Sequence, residues 1–168
     1  MQPLIEFELT KEFRDRFQQA LDDHDDKFIG ESLAEVKAAD ITALLYEFNS
    51  EESKYVMDLL PIELQAEIIN DLDTDTRKNY LRIYTPSEVA VFVNLLDSDD
   101  AADIINELPI RQREEVLSNL DDELRIKVTE LLRYEPSVAG GLMAKELMKA
   151  QVNWTVVQCI EEIRKQAE

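Results

Sequence analysis

The stretch Leu95–Leu108, LLDSDDAADIINEL, holds five acids, Asp97, Asp99, Asp100, Asp103 and Glu107, and not one Lys or Arg. At about 100° per residue on an α-helix, Ala101, Ile104, Ile105 and Leu108 form one apolar stripe, with Asp99 and Asp103 together nearly opposite it. The stripe reads as a packing face and the carboxylates as outward. Like charges at i and i+4 cost an isolated helix about a few tenths of a kcal/mol. The pair therefore asks for a counter-charge from elsewhere, which a divalent cation or a basic partner surface would supply.

The same stretch belongs to a rhythm. Every twelfth position from Val36 is apolar: Val36, Phe48, Leu60, Leu72, Tyr84, Leu96, Leu108, Leu120 and Leu132. Eight residues after most of these comes a second large apolar residue: Leu44, Val56, Ile68, Tyr80, Phe92, Ile104, Val116 and Val128. The residue just after the marker starts or stops helices: Asn49, Pro61, Asp73, Thr85, Asp97, Pro109 and Asp121. Thr85-Pro86-Ser87-Glu88 states the unit most fully, with a cap, a proline in the first helical position and an acid in the first turn. Each unit is thus a cap, about two turns of amphipathic helix and a closing apolar residue. Helices this short are unstable alone and must bury their stripes on one another, which makes the fold class all-α, a superhelical array of the α-solenoid kind. A twelve-residue beat is shorter than the usual two-helix repeats, so handedness and pitch stay open.

Outside the array the pattern changes. Lys11–Leu21 puts Phe13, Phe17, Ala20 and Leu21 on one face and reads as a lead helix, and DDHDD at Asp22–Asp26 reads as a solvated turn. His24 among aspartates suggests a transition metal, but structural sites want several His or Cys ligands, which favours a charged loop. After Tyr134, Glu135-Pro136 marks a boundary, and the adjacent Gly140 and Gly141 read as an interdomain hinge. Lys145–Asn153 lacks helical periodicity and reads as extended. Thr155-Val156-Val157-Gln158 is a capping box that opens a helix with Val156, Ile160 and Ile163 on one side. An extended segment followed by a helix is the opening of an α/β module, with Trp154 as a packing residue for the remainder of it.

Composition narrows the function. The 168 residues carry 37 acids and 18 bases, a net charge of −19, with 45% hydrophobic content, enough for a core. No basic face exists for a phosphate backbone, which argues against nucleic acid as a partner. Cys159, beside Val157 and Ile160, reads as a buried apolar thiol. The longest strictly apolar run, Val89–Val93, is far short of the ~18 residues of a membrane span, so no membrane insertion is expected of this chain. The start, MQPLIEFELTKEF, lacks a basic and then apolar leader, and a reducing cytoplasm is expected. With one His, one Cys and no phosphate loop there is little with which to do enzyme chemistry.

DSDDAADIINELP at Asp97–Pro109, YEPSVAGGLM at Tyr134–Met143 and the following TVVQCIEEIRKQA helix resemble the N domain of MgtE-type magnesium transporters. The resemblance covers about Val36–Glu168. It implies a superhelical helix array related to the flagellar motor switch protein FliG, occupying residues 1–133. It further implies that residues 134–168 are a linker and the start of a first CBS domain, an incomplete α/β segment. The implied parent is a homodimeric transporter in the cell membrane, with this domain on its cytoplasmic side, partnered by the CBS domains and transmembrane pore of the same chain. The implied role is a sensor in which magnesium, bound weakly by this domain alone, sits between its acids and CBS carboxylates and closes the pore. The acids carried over are Glu67, in LQAEII, and Asp99 and Asp103, in DDAAD.

Magnesium prefers six oxygen ligands and keeps several waters, so outward carboxylates make an outer-sphere half-site and two such surfaces share the ion. The competing reading is an interaction scaffold whose acidic face docks a basic partner, with magnesium incidental.

Overall fold

The caps predicted by the twelve-residue beat are the caps of the helices. The computed structural model describes residues 9–135, 138–140, 143–146 and 149–166. Among them lie a lead pair, α1 (Lys11–Asp23) and α2 (Asp26–Leu33), and then eight short helices. These are α3 (Ala38–Leu45), α4 (Ser50–Asp58), α5 (Ile62–Asp71), α6 (Thr74–Leu81), α7 (Pro86–Val93), α8 (Ser98–Glu107), α9 (Ile110–Asn119) and α10 (Asp122–Leu131). Lys37, Asn49, Pro61, Asp73, Thr85, Asp97, Pro109 and Asp121 stand in turn at their N-caps. Asn49 and Thr85 close capping boxes with Glu52 and Glu88. Asp73 accepts from the amides of Asp75 and Thr76.

The core follows the same register. All eight residues that sit eight positions after a marker, Leu44, Val56, Ile68, Tyr80, Phe92, Ile104, Val116 and Val128, are buried. Placing one such residue in every helix gives the array a continuous spine. What the beat leaves open is which helix lies on which. α3 packs on α5, α5 on α7 and α7 on α9, while α4 packs on α6 and α8 on α10. The structural repeat is therefore a pair of helices, two beats of sequence, with packing mainly between alternate helices and with α8 also resting on α9. Equivalent polar links stand two such repeats apart. The Tyr46 hydroxyl at the end of α3 donates to Asp73 Oδ2 at 2.8 Å and accepts the Asp73 amide at 3.1 Å. At the end of α7, Asn94 Oδ1 accepts the Asp121 amide at 2.9 Å.

One charged link joins α6 to α8 inside the stack. Arg77 on α6, itself 8% exposed, donates from Nε and one terminal nitrogen to the two carboxylate oxygens of Glu107 at 2.9 and 2.6 Å. Its other terminal nitrogen donates to the Asn70 carbonyl at 2.9 Å. This forked geometry satisfies a guanidinium that is largely withdrawn from water.

Several expectations change. α2 has no counterpart in the sequence reading: Asp25 caps it by accepting the Phe28 amide at 3.0 Å, and Ile29 and Leu33 bury its face. The turn expected over Asp22–Asp26 shrinks to His24 and Asp25. His24 takes the left-handed conformation at φ 55° that ends α1 and packs its ring on Tyr55 at 5.2 Å between centroids.

At the other end, Thr155 and Gln158 do form a capping box, in front of α11 (Val156–Gln166). The extended segment expected over Lys145–Asn153 is not a strand among its described residues, and Trp154 N–H closes a turn on Gln151 at 2.9 Å. A strand exists by pairing, and no second extended segment lies beside it among the described residues. Cys159 is half-exposed rather than buried, because Val156, Val157, Ile160 and Ile163 on the same helix are themselves open to solvent. Gly140 is a packing residue: a Cβ there would meet the Tyr134 ring at 2.6 Å. Gly141, the other half of the expected hinge, lies outside the described residues. No helix among them is long and apolar enough to cross a membrane.

Two outcomes follow from this packing. Ile104→Ala, at a position with no exposure, lowers the free energy of urea unfolding by about 3 kcal/mol. The same change at Ile110, 74% exposed, stays within about 0.5 kcal/mol. Arg77→Met strands a largely buried Glu107 carboxylate and costs about 3 kcal/mol, most of which returns in the Arg77→Met/Glu107→Met double variant.

Candidate functional site

The acids of α8 divide according to what reaches them from other helices. Glu107 is neutralised by Arg77. Asp100 accepts a hydrogen bond from the Asn70 side chain on α5 at 2.8 Å. So part of the missing counter-charge is supplied within the stack, by residues that follow no local spacing rule. Asp103 is left in the least favourable place. Partial desolvation raises its pKa above the usual carboxylate value, Arg77 opposes the rise, and Asp100, Glu107 and Asp99 add to it. The side chain is nevertheless exposed, which makes it an unneutralised charge that an ion from solution can reach.

Glu67 lies on α5, also exposed. It opens on a groove of about 650 Å³ formed by the start of α3, α5, the α7–α8 turn and α8. Its acidic walls are Glu67, Asp71, Asp97 and Asp100, with Lys37 as their counter-charge in the lining. Asp99 and Asp103 are not part of those walls. The structure thus brings Glu67 together with Asp97 and Asp100, and leaves Asp99 and Asp103 on the neighbouring surface of α8. Asp97 also titrates above its ordinary value, through desolvation and then the charges of Glu146, Asp99 and Asp100.

The sequence carries a signal for this groove only in hindsight of the stacking rule. Once α3, α5 and α7 are known to pack in succession, the end of α7 and the start of α8 must approach α5. Among the described residues no three His, Cys, Asp or Glu side chains converge closely enough to hold a metal ion. The oxygen-only donor set suits a hard cation held through its water shell, presented as a surface and not as a cage.

The comparisons with known proteins agree with this architecture. Residues 36–137 match the family described as the MgtE intracellular N domain. The magnesium transporter MgtE of Thermus thermophilus is 30% identical over 153 residues, which cover 89% of this chain and 34% of that protein. The crystal structure of the cytosolic domain of the Mg2+ channel MgtE in complex with ATP is similar with a TM-score of 0.80 at 29% identity, over 92% of this chain and 63% of that one. The crystal structure of the soluble part of a magnesium transporter shares the fold, with a TM-score of 0.77 at 23% identity, over 94% of this chain and 62% of that one. The chain spans about a third of the length of the curated relative it matches. By its repeat, its stacking and its match over residues 36–137, the chain belongs to the MgtE family, in the part described as the intracellular N domain.

Proposed function

We propose that this chain is the magnesium-sensing regulatory domain of a magnesium channel or transporter. It works on the cytoplasmic side of the membrane and has no enzymatic role. In this reading residues 1–133 are the sensing array and 134–168 the linker and the opening of a first CBS domain. Glu67, Asp99 and Asp103 face carboxylates of the CBS pair in a homodimeric parent, and magnesium shared between the two acidic surfaces favours the docked state that closes the pore.

The observation that carries the proposal is the placement of Asp103. Its carboxylate is exposed on α8, the helix that also carries Asp99, Asp100 and Glu107, and desolvation with the charges of Asp100, Glu107 and Asp99 pushes its pKa up against the charged form. The cation that opposes this rise, Arg77, is already engaged by Glu107 and the Asn70 carbonyl. A second acidic surface adds to that cost, and a divalent cation between the surfaces removes it. The differential stabilisation of the docked state is then supplied by the ion, which is what a concentration sensor needs. The residues do the rest: α5 and α8 hold their carboxylates on a rigid stack, so docking requires no folding of the site.

Two measurements test this. In the full-length parent, compaction followed by resistance to protease should set in with rising magnesium. Asp99→Asn/Asp103→Asn should raise the concentration needed by about tenfold, the weight of about 1.4 kcal/mol of coupling. Compaction indifferent to magnesium would overturn the sensor and favour the scaffold reading. The second concerns pH. A carboxyl whose folded pKa is raised binds its proton more tightly in the native state, so its contribution is favourable below about 3.8 and is lost as pH rises through its raised value. Without divalent ions, Asp103→Asn should melt at a higher temperature than the unaltered chain at pH 7, and the gap should close as the pH falls below 4.

A further inference from the structure

Asp97 stands at the N-cap of α8 without using its side chain as a cap. The role passes to a residue far along the chain. Glu146 Oε2 accepts the Ser98 hydroxyl at 2.8 Å and the Ser98 amide, the first of the helix, at 3.3 Å. The Lys145 amide in turn donates to Ser98 Oγ at 3.1 Å and to Glu146 Oε2 at 3.1 Å. Ser98 has no exposure, so these bonds are made away from water. Two ion pairs flank them and both reach α10: Lys145 Nζ to Glu130 at 2.8 Å and Lys127 Nζ to Glu146 at 3.4 Å. Upstream, Gly140 lies so close under the Tyr134 ring that no Cβ fits between them.

We infer that Ser98, Lys127, Glu130, Lys145 and Glu146 form a clasp that makes Lys145 and Glu146 a fixed part of the array, while α11 moves against it about the described residues 149–154. The clasp runs from the start of α8 to the face of α10, and so ties the exit of the chain to two stacked helices at once. The pivot then lies after Gly140, which is packed under Tyr134, in the described residues 149–154 before α11. That stretch carries only a single turn, Trp154 on Gln151, among its described residues. The helix beyond it leaves Val156, Val157, Ile160 and Ile163 uncovered, as expected of an element not packed into the array. The clasp uses no divalent ion and is independent of the sensor reading.

The test uses the 168-residue chain in the presence of a chelator. Nitroxide pairs at Glu114 and Met143, and at Glu114 and Glu161, report the two sides of the pivot. The first pair should give a narrow distance distribution and the second a broad one; equal widths, narrow or broad, overturn the inference. Amide exchange supplies the second readout. Glu146→Ala should lower protection of the Lys145 and Ser98 amides by about tenfold or more, with the Ile105 amide unchanged. Glu146→Gln, which keeps an acceptor oxygen, should restore part of it. A Lys145 amide that exchanges at the rate of an unstructured peptide in the unaltered chain overturns the clasp. Protection that Glu146→Ala leaves intact does the same.

Discussion

A helix of eight to ten residues cannot pay for its own nucleation, and every helix from α3 to α10 is of that length. Each is stable only because its neighbours bury its stripe. The caps decide where each helix begins, and the spine residues Leu44, Val56, Ile68, Tyr80, Phe92, Ile104, Val116 and Val128 decide which face turns inward. The polar surface is therefore fixed as firmly as the core: to move Asp103 relative to Glu67, the stack itself has to shear. Rigidity of this kind holds the surface carboxylates at defined positions relative to one another.

What the sequence makes legible is whatever is local. Caps lie one residue after a marker, spine residues eight after, and both can be read without knowing the fold. The capping box at Thr85 is visible from four letters. What escapes is whatever depends on stacking order. Arg77 and Glu107 lie on alternate helices, and nothing near Glu107 announces its partner. The Asn70–Asp100 bond joins α5 to α8. Glu146 reaches Ser98 from beyond the last array helix. The twelve-residue beat also conceals that two beats make one structural repeat, because odd and even helices share caps and spine and differ only in what they touch.

The charge on α8 shows how the two kinds of information combine. The sequence separates Asp99 and Asp103 from the others by helical face alone; the structure separates all of them by what reaches them. Asp99 and Asp100 lie in the first turn, where the partial positive charge of the helix N-terminus favours carboxylates. Asp100 also has the Asn70 amide. Glu107, in the last turn, is at the wrong end of the dipole and is rescued by the Arg77 fork. Asp103 sits one turn beyond the reach of the N-terminal dipole and receives no such bond, only the distant field of an arginine committed elsewhere.

On the proposed reading, that division lets one helix be both a structural member and a responsive surface. If every acid of α8 were neutralised from within, an added cation would find nothing to stabilise. If none were, repulsion in the first two turns would weigh on a helix that already depends on its neighbours. Neutralising Glu107 and bonding Asp100 keeps the helix folded without an ion, while Asp97 and Asp103 keep raised pKa values that a nearby cation would lower. The net charge of −19 has the same logic on a larger scale, since it makes the approach of any second acidic surface conditional on cations. On the proposed reading the array measures a cation through the cost of docking, and α8 is the element on which that cost falls.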